Sequence, residues 1–340
     1  MRKVREENDV LLDVQGLSKS FEVRSHLSRR LTGRVTAVDD VSFQIRRGET
    51  VGLVGESGCG KTTTARCILR AVEPSAGRIF FHEGLRRIDV VALRGGPLRA
   101  FRRHMQMVFQ DPFSSLNPRM TVMQIVGEPL RIHRMANREQ IEDRVRALMT
   151  AVGLDPKFLN RYPHAFSGGQ RQRIGLARAL ALQPSLIVAD EAVSALDMSM
   201  QAQILNLLKD LQNRMQLTCL FIAHDLSVVR HFCDRVLVMY AGRIVESATT
   251  EELFAAPKHP YTEALLSAAP RADPDAKSDR IILSGEVPDP ANRPAGCPFH
   301  PRCRFADPRC EQEVPLLREV DYDRVAACHY SDRLAMDGIG

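Results

Sequence analysis

The chain opens with short apolar runs, Val10-Leu11-Leu12-Asp13-Val14 and then Val38 to Phe43, broken by polar positions. This spacing predicts strands at the edge of an antiparallel sheet. A compact β-branched run, Glu49-Thr50-Val51-Gly52-Leu53-Val54, follows and passes directly into a glycine-rich turn. Between Arg131 and Leu182 the period changes: Ile141, Val145, Leu148, Met149 and Val152 recur at three- and four-residue steps, which predicts helices. Leu186-Ile187-Val188-Ala189 and Thr218-Cys219-Leu220-Phe221-Ile222-Ala223 are continuous apolar runs that read as buried strands. Strands separated by helices predict a mainly parallel α/β sheet. Past Pro257 prolines punctuate the chain as far as Pro315, which places a boundary near residue 255.

Composition adds limits rather than direction. A length of 340 residues suits about two domains. The net charge of +6 is compatible with a polyanionic ligand, an anionic membrane surface or nucleic acid and does not choose between them. Much of the local excess sits in a loop carrying Arg24, Arg29, Arg30 and Arg34 without an acid. No apolar run approaches the ~20 residues of a membrane helix. The N-terminal stretch Met1 to Asp9 is charged and lacks the pattern of a secretory signal, so the expected compartment is the cytoplasm.

The chemistry starts where the glycine-rich turn follows the strand. Gly55-Glu56-Ser57-Gly58-Cys59-Gly60-Lys61-Thr62, continued by Thr63, matches G-x-x-x-x-G-K-[ST] and opens a helical segment. Such a loop aims backbone N–H groups at phosphate oxygens, while its lysine reaches the β- and γ-phosphates and its hydroxyl coordinates Mg²⁺. The strand Leu186–Ala189 ends in Asp190 and Glu191. A carboxylate there is suited to hold Mg²⁺, and its neighbour to polarise an attacking water. Ser167-Gly168-Gly169-Gln170-Arg171 opens another helix with a serine cap and two glycines, a second arrangement suited to an anion.

Taken in order, these segments resemble the ATP-binding cassette family over roughly residues 10 to 250. The resemblance implies a P-loop α/β fold with a RecA-like core, an antiparallel β subdomain and a helical subdomain at about 111–182, all within residues 1–255. A small Pro- and Cys-rich extension, residues 256–340, would follow. It further implies that Phe21 stacks on adenine, that residues 55–63 hold ATP, and that Thr62, Gln110 and Asp190 hold Mg²⁺. Glu191 would be the general base, with Gln110 sensing the metal and water and His224 contacting the γ-phosphate. Ser167, Gly168, Gly169 and Gln170 would close over ATP bound to an opposite subunit, and Asp197 belongs to the D-loop Ser194-Ala195-Leu196-Asp197. One departure is Ala192, where the family usually carries proline.

A finer resemblance is to the ATP-binding subunit of dipeptide and oligopeptide importers, through Gln110-Asp111-Pro112-Phe113-Ser114-Ser115-Leu116-Asn117-Pro118, Tyr162-Pro163-His164-Ala165-Phe166 and His259-Pro260-Tyr261-Thr262. The basic insert before Ala37 resembles the F-type subunit, which implies pairing with a D-type ATPase, or else with itself. The resemblance also implies two membrane permeases, an extracytoplasmic peptide-binding protein, and a peripheral place on the cytoplasmic face of the inner membrane. The insert would then lie near anionic lipid, with a solvated loop as the alternative. Importers of nickel or other small solutes share much of the pattern, and a regulatory cassette module is a further alternative. A nucleic-acid partner is not expected at this charge.

Cys59, Cys67, Cys219 and Cys233 are scattered and read as incidental thiols. Cys297, Cys303, Cys310 and Cys328 cluster near the C-terminus, but their spacing matches neither common zinc ribbons nor the ferredoxin run. Spacing leaves zinc, an iron–sulfur cluster or unliganded thiols open, with His300 and His329 as further zinc candidates. The segment Cys297-Pro298-Phe299-His300-Pro301-Arg302-Cys303 resembles the peptide-importer extension, which implies a [4Fe–4S] cluster of structural role.

Overall fold

A computed structural model describes residues 9–24, 31–111, 114–194, 196–269, 280–286, 288–289 and 291–339. Arg29, Arg30, Pro112, Phe113, Ala195, Pro270, Pro274 and Pro290 lie outside the described residues, as does the side chain of Arg24. The strands in chain order are β1 (Val10–Arg24), β2 (Leu31–Arg46), β3 (Thr50–Val54), β4 (Ala76–Glu83), β5 (Arg86–Asp89), β6 (Met105–Val108), β7 (Leu186–Asp190), β8 (Thr218–Ile222), β9 (Arg235–Tyr240), β10 (Arg243–Thr249), β11 (Arg318–Asp321) and β12 (Arg324–Ala326). The chain divides into two compact units, one of residues 1–11, 45–49 and 92–222, the other of residues 12–44, 50–91 and 223–340.

In the first unit β6, β7 and β8 run parallel, with Val188 opposite Met107 on one side and Leu220 on the other. All five residues of β7 are buried. A central parallel strand is covered on both faces, which is why its sequence is a continuous apolar run rather than an alternating one. Three helices, Val122–Ile132, Arg138–Ala151 and Gly168–Leu180, each open on a capping box, built by Thr121 with Gln124, Asn137 with Gln140, and Ser167 with Gln170. Each box satisfies backbone donors that a helix start leaves unpaired. Behind the caps, Val145, Met149 and Val152 are fully buried, as their spacing predicts.

In the second unit β1 to β5 contribute differently. A four-stranded sheet has the order β2-β1-β4-β5, with β1 antiparallel to β4 and Leu12 opposite Phe81. Leu11, Leu12, Val14 and Leu17 of β1 are buried, while Gln15 is exposed. Elsewhere β3 pairs parallel with β9, β9 antiparallel with β10, and β10 with β12, so the C-terminal segment adds strands to this sheet.

A buried ion pair fixes that addition. Glu246 on β10 is fully buried and receives Nη2 of Arg324 at 2.8 Å, the Lys258 amide at 2.7 Å and the His259 amide at 2.9 Å. Arg324 donates onward to the carbonyl of Ala256. A buried carboxylate persists only when it is paired and hydrogen-bonded in this manner.

Candidate functional site

The glycine-rich loop begins at the end of β3 and ends at the helix Lys61–Ile68. Gly60, at φ +109°, is the N-cap of that helix, and a Cβ there would stand 2.3 Å from the carbonyl oxygen of Ala37. Gly55 is equally confined, since a Cβ would lie 2.1 Å from the Met239 carbonyl oxygen. Only glycine fits either place, which is the physical content of those two letters of the motif. Lys61 is 5% exposed, and its Nζ donates to the carbonyls of Gly55 at 2.7 Å and Glu56 at 3.0 Å. The ammonium is thus held inside the curl of the loop, where phosphate oxygens are expected. Ser57 and Gly58 are exposed, Thr62 and Thr63 half-buried, and Cys59 buried, with its thiol raised by burial and only partly offset by Lys61. Phe21, on β1 of the same unit, is 43% exposed, with the Lys19 ammonium over its ring at 4.9 Å from the centre. His224 is exposed, one residue before the Asp225 cap of the helix Leu226–Phe232.

The first unit brings other predicted residues together. Gln110, following β6, donates its side-chain amide to the Glu191 carboxylate at 2.6 Å. Asp190 is buried at the end of β7, and Glu191 takes the left-handed conformation at φ +47°. The Glu191 carbonyl accepts from the amide of Ser194 and from its hydroxyl at 2.9 Å. Ala192 is buried where the resemblance leads one to expect proline. Ser167 caps its helix by accepting from the Gln170 amide at 3.3 Å, while the Gln170 side chain accepts from the Ser167 amide at 3.0 Å. The amides at the very start, Gly168 and Gly169, are those that a helix leaves without an internal partner. Asp197 caps the helix Met198–Met215 by accepting from Met200 at 2.9 Å.

In the C-terminal segment Cys297, Cys303, Cys310 and Cys328 line one small cavity with His259, Phe299, Phe305 and Tyr330. Burial first, and then the neighbouring thiols, push Cys297 up to about 12 and Cys303 up to about 11. Among the described residues no group of three or more His, Cys, Asp or Glu is spaced to hold a single metal ion. His300 and His329 line the same cavity, and one ring nitrogen of each is bonded to a carbonyl: His300 Nδ1 meets that of Cys297 at 2.9 Å and His329 Nε2 that of Glu313 at 3.0 Å. The four incidental cysteines are buried.

Two residues that sequence reasoning did not single out reach the phosphate loop. The Glu56 amide donates to Tyr261 Oη at 2.8 Å, and the Glu56 carboxylate receives Arg302 at 2.7 and 3.0 Å. Tyr261 lies in the His259–Thr262 segment and Arg302 in the Cys297–Cys303 segment, but neither spacing names a partner so distant in the chain.

Residues 38–194 match a family model described as ABC transporter, and residues 245–310 one described as oligopeptide/dipeptide transporter, C-terminal region. A putative peptide import ATP-binding protein of Brucella ovis is 53% identical, over 94% of this chain and 97% of its own length. The oligopeptide transport ATP-binding protein AppF of Bacillus subtilis is 50% identical, over 94% of this chain and 97% of that protein. Among solved structures, the dimeric ATP-binding cassette MJ0796 in a post-hydrolysis state with ADP and Pi matches with a TM-score of 0.62 at 28% identity, over 71% of this chain and 99% of that one. The protein cbiO1 from Clostridium perfringens, part of the ABC transporter complex cbiONQ, matches with a TM-score of 0.61 at 26% identity, over 72% of this chain and 91% of that one.

Proposed function

The chain belongs to the ATP-binding cassette transporter family, and from that premise we propose that it is the ATP-hydrolysing subunit of a dipeptide or oligopeptide importer. The observation that carries this reading is the joint match of a cassette and of an oligopeptide-transporter C-terminal region in one chain. The confined Gly55–Thr62 loop supplies the chemistry, with its buried lysine already turned inward.

Roles follow residue by residue. The loop amides and Lys61 would bind and orient the triphosphate, Phe21 would stack on the adenine, and Glu191 would take a proton from the attacking water. Gln110 orients Glu191 and is proposed, with Thr62 and Asp190, as a ligand of Mg²⁺. When bound, that ion neutralises phosphate charge. His224 is proposed to contact the γ-phosphate. The Ser167–Gln170 segment and Asp197 would face the nucleotide of a second cassette, so turnover requires a dimer. The partner cassette is proposed to be a D-type subunit. Two permeases and an extracytoplasmic peptide-binding protein would complete the importer at the cytoplasmic face of the inner membrane. Among the described residues no helix is long and apolar enough to cross a membrane, which agrees with a membrane path built by other chains. We place the cassette in residues 1–255 and the extension in residues 256–340.

The four thiols that line one cavity are proposed to hold a [4Fe–4S] cluster, with zinc as the alternative. Four cysteines are the usual ligand set of such a cluster, and the cavity they line is shared with His300 and His329, the residues a zinc site would draw on. Cys297, Cys303, Cys310 and Cys328 would hold it as thiolates, and it would supply a covalent tie to a segment with little apolar core of its own.

The test is ATP hydrolysis by the assembled importer in lipid vesicles. Turnover stimulated by peptide-loaded binding protein supports the reading. Turnover stimulated only by a nickel-loaded binding protein refutes the peptide assignment.

A further inference from the structure

Glu56, second residue of the phosphate loop, is engaged through three of its groups. Its amide donates to Tyr261 Oη at 2.8 Å, its carbonyl accepts from Lys61 Nζ at 3.0 Å, and its carboxylate faces Arg302. The last contact is bidentate: Nη1 reaches Oε2 at 2.7 Å and Nη2 reaches Oε1 at 3.0 Å. Arg302 is no loose surface arm. Its side chain is 6% exposed, and Nη1 also donates to Tyr240 Oη at 3.4 Å. Tyr240 and Tyr261 pack at 4.5 Å between ring centres, and Phe299 stands 5.2 and 5.4 Å from them, forming one aromatic block.

The other end of the loop is gripped as well. Gly60 abuts the carbonyl of Ala37, and the flanking residues are held by Arg293, which donates to Asp39 at 2.6 Å and to the Thr36 carbonyl at 2.5 Å. Tyr261, Arg293 and Arg302 all lie beyond residue 255: the first and last bond directly to the start of the phosphate loop, and Arg293 bonds to residues beside its far end.

A salt bridge that only glued this segment down would be indifferent to which carboxylate it used. Here the carboxylate belongs to a residue whose amide and carbonyl are also committed, inside a loop that must receive a polyphosphate. An unpaired Glu56 would set a negative charge beside that anion and free the opening turn of the loop. A bidentate guanidinium removes both effects, because it neutralises the charge and fixes its orientation. We propose that Arg302, supported by Tyr261, is a positioning residue for the ATP reaction, through which the C-terminal extension sets the nucleotide affinity of the cassette in cis.

The proposal rests on the reading of residues 55–63 as the nucleotide site, and the test separates the two. A fluorescent ATP analogue with Mg²⁺ is titrated into the purified full chain, wild type and variants, with melting temperatures recorded in parallel. If the wild type fails to bind, the nucleotide reading fails. If it binds, Arg302→Ala is expected to weaken affinity roughly ten-fold, and Tyr261→Phe, which keeps the ring and loses only the acceptor of the Glu56 amide, roughly three-fold. Arg302→Lys recovers part of the loss, since a point charge cannot reproduce the fork. Adding Glu56→Gln to Arg302→Ala also recovers part, because no charge is then left unpaired. In the assembled importer Arg302→Ala raises KM for ATP while kcat stays within about two-fold. Wild-type affinity in both Arg302→Ala and Tyr261→Phe overturns the proposal. So does an affinity loss that appears only in Arg302→Ala and only alongside a fall in its melting temperature.

Discussion

The side-chain amide of Gln110 donates to the carboxylate of Glu191 at 2.6 Å. Behind that contact the Glu191 backbone is fixed at φ +47°, its amide bonded to the Ile222 carbonyl at 3.0 Å and its carbonyl accepting from Ser194. A carboxylate held at both its backbone and its head is pre-oriented for one task. Glu191→Gln is therefore expected to lower the hydrolysis rate by ~10²–10⁴-fold, the usual worth of a general base, while leaving ATP affinity intact. Gln110→Ala, which removes the orienting bond and one proposed Mg²⁺ ligand, should cost at least roughly ten-fold. Single-turnover hydrolysis and equilibrium nucleotide binding, measured on the same preparations, check both values.

Gly60→Ala should damage the phosphate loop directly. The position needs φ +109°, and the new methyl would stand 2.3 Å from the Ala37 carbonyl oxygen, a backbone atom that cannot swing away. The expected cost is about 1–3 kcal/mol of stability from the strained backbone, with nucleotide affinity reduced at least ~10-fold. Denaturant melts and nucleotide titration report the two losses separately.

Stability should fall on the acid side because of His259. Its ring is buried, Nδ1 accepts from the Tyr261 amide at 3.1 Å, and burial lowers its pKa to about 3. The unfolded chain takes up this proton near pH ~6.5 and the folded chain only far below, so the unfolded state binds more protons between these values. The contribution is fully present above pH ~6.5 and is lost as pH falls, by about 1.4 kcal/mol per pH unit. His259→Asn keeps an N-cap and removes the titration. Its unfolding free energy should therefore depend on pH by about one proton less across that window.

The thiol cavity makes a spectroscopic prediction. Anaerobically purified wild-type protein should show broad visible absorbance from sulfide-to-iron charge transfer, lost in Cys297→Ser and Cys310→Ser. Colourless protein carrying stoichiometric zinc would remove the cluster from the account.

Much of this was legible in the sequence because the residues concerned act through neighbours in the chain. The loop Gly55–Thr62 needs only a strand before it and a helix after it, and the cap Ser167 needs only Gln170 three residues on. The apolar run Leu186–Ala189 of β7 announces its own burial. What remained hidden depends on contacts across long stretches of chain. Arg302 and Tyr261 carry no mark that their partner is Glu56, and nothing local to Glu246 or Arg324 marks them as a buried pair. The Pro-rich spacing after Pro257 likewise gave no sign that β12 would pair with β10. Local rules have no access to such pairings, which are decided by where the sheet and the extension bring the chain together.

The central claim, that ATP hydrolysis by this chain drives peptide uptake, is tested most directly by uptake of labelled dipeptides and oligopeptides into cells whose only copy of the chain is wild type or Glu191→Gln. The account predicts uptake with the wild type, competed by unlabelled peptide but not by nickel, and background uptake with Glu191→Gln at equal protein level. Undiminished peptide uptake in the Glu191→Gln cells would contradict it.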